Sequence, residues 1–234
     1  MNTTLLQYRI DEQYIGMEQD EKNVTLFFDN DITFKADHVI LAIPPRSLNS
    51  IGLPDDIKKL LWSVKEIPLL KCFFIVNDPW WKEDLTNIGK IPIPARELHY
   101  RKISNTVLEK GSIMVYSDQP YINFWSRYVN SQYHAQTETG NNKELPIVFA
   151  RQMGIDPKKI IMYGIRDWGR PPYGAACHIW KPGIQSWIVR EQLEAFSLKG
   201  VHQNIHICGE AFSDFQGFIE GSLRSAQNVM NKIQ

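Results

Sequence analysis

His206-Ile207-Cys208-Gly209-Glu210-Ala211, followed a few residues later by Gly217-Phe218-Ile219-Glu220-Gly221-Ser222, reads as a strand, a small-residue turn and the start of a helix. Ile219, Leu223, Ala226, Met230 and Ile233 recur at helical spacing and form one apolar stripe. Ser213 or Asp214 offers a cap for the helix. A strand, a tight turn and a helix N-terminus aim backbone N–H groups at an anion or an electron-rich ring edge.

Upstream, Val24 to Phe28 and Ile32 to Ala42 predict two strands joined by the polar turn Asp29-Asn30-Asp31. The second strand ends in a continuous apolar run from Val39 to Ile43, the pattern of a strand covered on both faces. Ile43-Pro44-Pro45 stops it, because proline cannot donate to a ladder. Pro54-Asp55-Asp56 predicts a helix start, with Ile57, Leu60, Leu61 and Val64 on one face and Pro68 as its end. Leu69 to Val76 is an apolar strand interrupted by one cation, Lys71, and Ile113 to Tyr116 is another strand. The polar stretch Asn130 to Glu144 reads as a loop, and Leu145 to Met153 as a short helix.

The 234 residues are 43% hydrophobic and carry 26 basic and 26 acidic side chains. That is enough apolar mass for a real core. The zero formal charge gives no electrostatic footprint for nucleic acid or an anionic membrane. The first residues show no basic region leading into an apolar run, and no apolar stretch is long enough to span a bilayer, so a soluble protein without membrane attachment is expected. Cys72, Cys177 and Cys208 are few, odd in number and without metal-ligand spacing, which implies no metal site and makes the cytoplasm the expected compartment.

One pattern is missing. A chain that grips a dinucleotide alone carries a Gly-x-Gly-x-x-Gly turn, because only glycine lets the backbone approach a pyrophosphate closely. None of the 14 glycines here has another two positions away. The sequence also holds no Walker loop, no Gly-x-Ser-x-Gly elbow and no His-Glu-x-x-His.

Three segments in order carry a resemblance: Val39-Ile40-Leu41-Ala42-Ile43-Pro44-Pro45; Pro68-Leu69-Leu70-Lys71-Cys72-Phe73-Phe74 leading to Pro79-Trp80-Trp81; and the Gly209 turn with Gly217 to Ser222. Together they resemble the flavin-dependent amine oxidases, a family that includes monoamine, polyamine and L-amino acid oxidases. The resemblance runs from about residue 10 to the C-terminus, and the glycine-bearing Rossmann half of the family is absent from these residues. It implies an α+β fold: a mixed-sheet substrate domain with flanking helices, plus the C-terminal strand-turn-helix of a two-domain FAD oxidoreductase. By this resemblance residues 1–45 correspond to the rear of the FAD domain, 46–195 to the substrate-binding domain, and 196–234 to the last FAD-contacting strand and helix.

The resemblance also implies roles. A lysine at the position of Lys71 holds a water against flavin N5, and by residue chemistry a lysine within an apolar strand must find a polar partner or lose its charge. The alternative places Lys71 on the strand's solvent face. Gly209 and Glu210 match the turn where the acidic residue approaches the ribitol or pyrophosphate. Gly217 and Ile219 match the segment whose backbone meets the pyrimidine edge, with Phe218 as an aromatic wall beside the substrate. Core packing is the alternative for Phe218. Trp168 resembles the tryptophan near the flavin, or packs as an ordinary core indole.

Gly174 to Gly183 resembles the segment holding a covalent flavin cysteine and then the second aromatic wall. Counted back from Pro182-Gly183, these positions are Ala175 and Ala176; counted forward from Pro172-Tyr173, they are Cys177 and His178. The first register implies noncovalent FAD and Ala176 as a substrate-facing residue.

The implied function is the substrate-domain portion of a flavin-dependent amine or L-amino acid oxidase. Hydride would pass from the C–N carbon to FAD, the imine would hydrolyse, and hydrogen peroxide would form. The expected partners are a small-molecule amine or amino acid and a Rossmann half supplied by another chain or a missing segment. The second reading is a non-catalytic, truncated oxidase-like binding module. Arg96, Arg127, Arg166 and Arg170 are candidates to pair a substrate carboxylate, against the alternative of surface ion pairs.

Overall fold

A computed structural model describes residues 14–29, 31–88, 91–103, 109–129, 135–139, 144–170, 175–199 and 202–233. Pro172-Tyr173-Gly174 and Asn30 lie outside these described residues. The chain forms two compact units, one from residues 1–65 and 178–234, the other from residues 66–177.

The first unit opens with an antiparallel meander of β1 (Tyr14–Gln19), β2 (Val24–Phe28) and β3 (Thr33–Ala36). The single strand expected over Ile32 to Ala42 is instead two, because the chain bends at Asp37-His38. Asn23 Nδ2 donates to Asp37 Oδ1 at 2.8 Å, tying the bend to the start of β2. Beyond it, β4 (Val39–Leu41) leaves the meander and pairs in parallel with a strand near the C-terminus. Val39 and Leu41 are buried while Ile40 is exposed, so β4 alternates and is not covered on both faces as its apolar run suggested.

Pro44-Pro45 stops β4 but also starts a helix, α1 (Pro45–Ser50), in which Pro45 occupies a first-turn position that needs no N–H. Helix α2 (Asp55–Leu61) begins where Asp55 and Asp56 predicted, and buries Ile57 and Leu61. It ends at Leu61 and not at Pro68, because Val64 belongs to a new strand, β5 (Val64–Ile67). The chain leaves the first unit within β5.

The second unit is built on six strands: β6 (Leu70–Asn77), β7 (Leu85–Ile88), β8 (Glu97–Ile103), β9 (Lys110–Ser117), β10 (Ala135–Thr139) and β11 (Ile160–Asp167). They lie in the order β10-β11-β6-β9-β8-β7 with antiparallel neighbours. β6 alternates strictly. Leu70, Cys72, Phe74 and Val76 point into the core, where α3 (Ile122–Ser126) contributes Trp125 and α4 (Glu144–Met153) contributes Phe149. The Phe74 and Phe149 rings stack with centroids 3.8 Å apart. Each such buried aromatic contributes roughly 1.5–3 kcal/mol of transfer free energy, so this face anchors the sheet. Lys71, Phe73 and Ile75 point to the other face. Residues 135–139, expected to be loop, form the edge strand β10 by backbone pairing to β11. A polar edge strand has no apolar period to announce it, and its polarity discourages pairing with other chains.

On returning to the first unit the chain adds β12 (Cys177–Trp180), α5 (Ser186–Glu194), β13 (Ile205–Ile207), a 3-10 turn at Glu210–Phe212 and α6 (Ile219–Ile233). β13 is the parallel partner of β4. The first unit's core gathers Leu48, Ile57, Leu193, Phe196, Ile205 and Phe212.

Helix α6 forms as its periodicity predicts, but its buried face is Gly221, Ser225 and Val229. Ser225 Oγ accepts the Gly209 N–H at 3.2 Å, which seats the helix against the preceding turn. The apolar stripe faces out: Ile219 is 80% exposed, Leu223 60% and Met230 42%. Among the described residues no helix is long and apolar enough to cross a membrane.

Candidate functional site

In the first unit, the turn between β13 and α6 brings together Gly209, Glu210, Gly217, Phe218 and Ile219. Gly209 holds φ at +137° and Gly217 at +85°, backbone regions that only glycine enters without strain. A Cβ at either position would meet nothing within 4 Å, so the backbone there is open to an approaching group. Phe218 and Ile219 are exposed beside it. Phe218 is therefore not a core residue of this unit, and its ring lies 5.2 Å from that of Phe215.

Glu210 turns inward. Its Oε1 accepts the backbone N–H of His178 at 3.0 Å and of Gly217 at 2.6 Å, and its Oε2 lies 2.9 Å from His178 Nδ1. A carboxylate offers about four acceptor sites, so roughly one remains for a ligand hydroxyl. Burial pushes the Glu210 carboxyl up, but the hydrogen bonds from the His178 ring, the His178 backbone and Gly217 outweigh it and hold the group below the usual glutamate range. His178 is buried, and its Nε2 has no hydrogen-bond partner among the described residues.

Two further contacts pin the segment. The Trp180 backbone N–H donates to Gln216 Oε1 at 2.7 Å, and its indole N–H donates to the Ser213 carbonyl at 3.1 Å. The turn is thus fixed from behind while its glycine side stays open.

In the second unit, Lys71 is half-buried on the outer face of β6. Register places it directly opposite Arg166 on β11 and Tyr116 on β9, so all three side chains share that face. Lys71 Nζ sits 5.2 Å from the centre of the Tyr116 ring, and the Arg166 guanidinium lies 4.9 Å over the Trp168 ring. Trp168 is half-buried, and its backbone N–H donates to the Leu69 carbonyl at 2.9 Å, which holds it beside the start of β6. Burial pushes the Tyr116 phenol up, keeping it neutral around pH 7.

Ala175 is buried and Ala176 exposed, with the Ala176 N–H donated to the Ile67 carbonyl at 3.1 Å. Cys177 is half-buried and carries no disulfide. Of the four candidate arginines, Arg96 pairs with Asp118 at 3.1 Å and Glu97 at 3.3 Å. Arg170 pairs with the buried Asp167 at 3.2 Å and donates to the Ser126 and Val129 carbonyls, so it holds the fold. Arg127 is exposed over the Phe124 ring.

No local signal in the sequence singles out Tyr116 or Ser225, and His178 falls in one of the two registers open there. Strand alternation places Tyr116 on an outer face, but only the pairing of β6 with β9 sets it beside Lys71. The residues present fit the ring-and-sugar end of a flavin: an open backbone at two glycines, an exposed aromatic and an orphaned buried imidazole nitrogen. The sequence holds no pair of glycines two positions apart of the kind that cradles a pyrophosphate.

The chain matches the model of the flavin containing amine oxidoreductases over residues 6–233. The uncharacterized protein R188 of Acanthamoeba polyphaga mimivirus is 26% identical over 218 residues, which cover 86% of this chain and 40% of that protein. A putrescine oxidase solved with putrescine bound shares the fold with a TM-score of 0.65 and 18% identity, over 95% of this chain and 48% of the oxidase. Cyclohexylamine oxidase from Brevibacterium oxydans IH-35A gives a TM-score of 0.59 and 15% identity, over 94% of this chain and 48% of that enzyme. The chain therefore spans less than half the length of these relatives.

Proposed function

The chain belongs to the flavin-containing amine oxidoreductase family, and we propose that it forms the substrate-binding portion of a flavin-dependent amine or L-amino acid oxidase, completed by a Rossmann half from another chain or a further segment. The observation that carries this reading is the turn from Gly209 to Phe218. Its two positive-φ glycines are open on one side, fixed from behind through Glu210 and Trp180, and lead directly into α6.

When bound, the flavin supplies the oxidation, taking a hydride from the carbon that bears the amine and passing electrons on to oxygen to give hydrogen peroxide. The chain's own residues bind and orient. Gly209, Gly217 and Ile219 offer backbone to the cofactor, and Glu210 offers its remaining acceptor site. In the second unit Lys71 Nζ donates hydrogen bonds to a water, and Trp168 and Ala176 offer surface to the substrate; in the first unit Phe218 offers an aromatic ring. Residues 46–195 form the substrate-binding segment, with 1–45 and 196–234 on the flavin side.

The cofactor is noncovalent FAD, because the register that ends at Pro182-Gly183 puts Ala175 and not a cysteine at the attachment position. The missing glycine fingerprint and the exposed stripe of α6 support a separate dinucleotide-binding half that covers this helix. Three cysteines without a disulfide support a cytoplasmic setting.

The test is to purify the chain together with a Rossmann-type half and measure flavin absorbance and amine-dependent peroxide release. Retained flavin with peroxide is the expected result. A complex that forms without flavin or peroxide would leave a non-catalytic binding module as the correct reading.

A further inference from the structure

Lys71 and Arg166 stand opposite each other on neighbouring antiparallel strands, both half-buried and on the same face of the sheet. Like charges placed directly opposite in a sheet are destabilising. Ordinary surface cations at such positions are relieved by a carboxylate. Here, among the described residues, neither has an ion-pair partner. Their charged groups instead lie over aromatic rings, Lys71 over Tyr116 and Arg166 over Trp168. A ring face attracts a cation but is not a lone-pair acceptor, and among the described residues no oxygen accepts a hydrogen bond from the Arg166 guanidinium.

The acidic groups nearest in the sheet are already committed. Glu97, the next residue in the same cross-strand row beyond Tyr116, lies 3.0 Å from His99 Nε2 and 3.3 Å from Arg96 Nε. Asp167 points into the core, where it accepts from Gly169 and Arg170. The other arginines are excluded in turn: Arg96 and Arg170 by their carboxylates, and Arg127 because it is exposed and has no second cation opposite it across a strand pair.

A conflict between local charge and fold is the kind of feature that persists where it binds something. We propose that Arg166, with Lys71 beside it, binds the carboxylate of the substrate, which makes the substrate an α-amino acid and not a simple amine or diamine. Planar N–H donors match a carboxylate bidentately. The same two cations disfavour a ligand that brings only ammonium groups, since each added cation meets two like charges in a partly desolvated face. This assignment rests on the oxidase reading for its consequence, the choice of substrate, but the binding site stands on the residues alone.

The test uses the purified full chain and a matched pair of probes, L-phenylalanine and phenethylamine, which differ only by the carboxylate. Binding is followed by titration calorimetry, with sulfate as a competitor. The expected result is that the amino acid binds at least about ten-fold tighter, that Arg166→Met removes this preference by weakening L-phenylalanine while phenethylamine binds no more weakly than before, and that Arg166→Lys keeps part of it. Equal affinities in the parent chain, a preference that survives Arg166→Met in a protein that still melts cooperatively, or displacement by sulfate as effective as by the amino acid would each overturn the assignment. With the Rossmann half added, the two readings separate. Arg166-dependent binding without peroxide sinks the oxidase and leaves this site standing, whereas peroxide from phenethylamine but not L-phenylalanine does the reverse.

Discussion

Lys71 and Arg166 face each other across the β6–β11 pair, two cations with an aromatic ring under each and, among the described residues, no carboxylate paired with either. The strands themselves are well supported, since the opposite face of β6 is fully buried at Leu70, Cys72, Phe74 and Val76. The sheet therefore tolerates a local repulsion because its other face is anchored by packing. The two properties can be separated by substitution.

Replacing Lys71 by methionine keeps the length of the side chain and its contact with Tyr116, and removes one of the two charges. The expected outcome is a gain of about 0.5 kcal/mol in stability, the order of a cross-strand charge term. It would be read as a higher urea midpoint with an unchanged slope. Reconstituted oxidase activity should fall in the same variant. An unchanged or lower midpoint would mean that the repulsion is already screened away in the folded chain.

Local signals made much of this fold legible. The alternation of β6, the acidic start of α2 and the period of α6 are short-range patterns, and each element formed where they fell. What stayed hidden was non-local. Arg166 lies some 95 residues from Lys71, and only the register of β11 on β6 brings them together. The bend at Asp37-His38 depends on β4 finding its parallel partner β13 at the other end of the chain. β10 is held by backbone pairing, which no side-chain period reports. Apolar spacing on α6 identified a stripe correctly, yet spacing cannot say whether the rest of the same chain covers it.

Glu210 gives a pH prediction whose sign follows from its lowered pKa. A carboxyl whose folded pKa lies below its unfolded value contributes stability that is fully present above the unfolded value, about 4.3, and is lost as pH falls through the folded one. Glu210→Gln removes this titration. Its carbonyl can still accept the His178 and Gly217 backbone N–H groups, but its amide replaces the oxygen that faces His178 Nδ1. The stability difference between parent and variant should be greatest near neutral pH and shrink on acidification. Urea midpoints measured from about pH 7 to about pH 3 check this. A difference that grows toward low pH would show that the carboxylate is not what holds the turn.

The two faces of α6 predict opposite responses. On the buried face, a Cβ at Gly221 would run into the Phe215 carbonyl and Ser213 Oγ. Gly221→Ala should therefore destabilise the chain by about 1–3 kcal/mol through overpacking, although alanine is the better helix former by about 1 kcal/mol. On the exposed stripe, Leu223→Glu should change the stability of the chain alone by no more than about 0.5 kcal/mol, because a residue 60% exposed loses little burial. The same charge should sharply weaken association with a Rossmann-type half, since it would then be taken out of water against an apolar partner without compensation. Melting of the isolated chain and co-purification with that half read the two effects separately. If Leu223→Glu unfolds the chain by itself, the stripe is part of its own core. If the variant neither unfolds nor loses the partner, the partner docks elsewhere and the exposed helix face has another role.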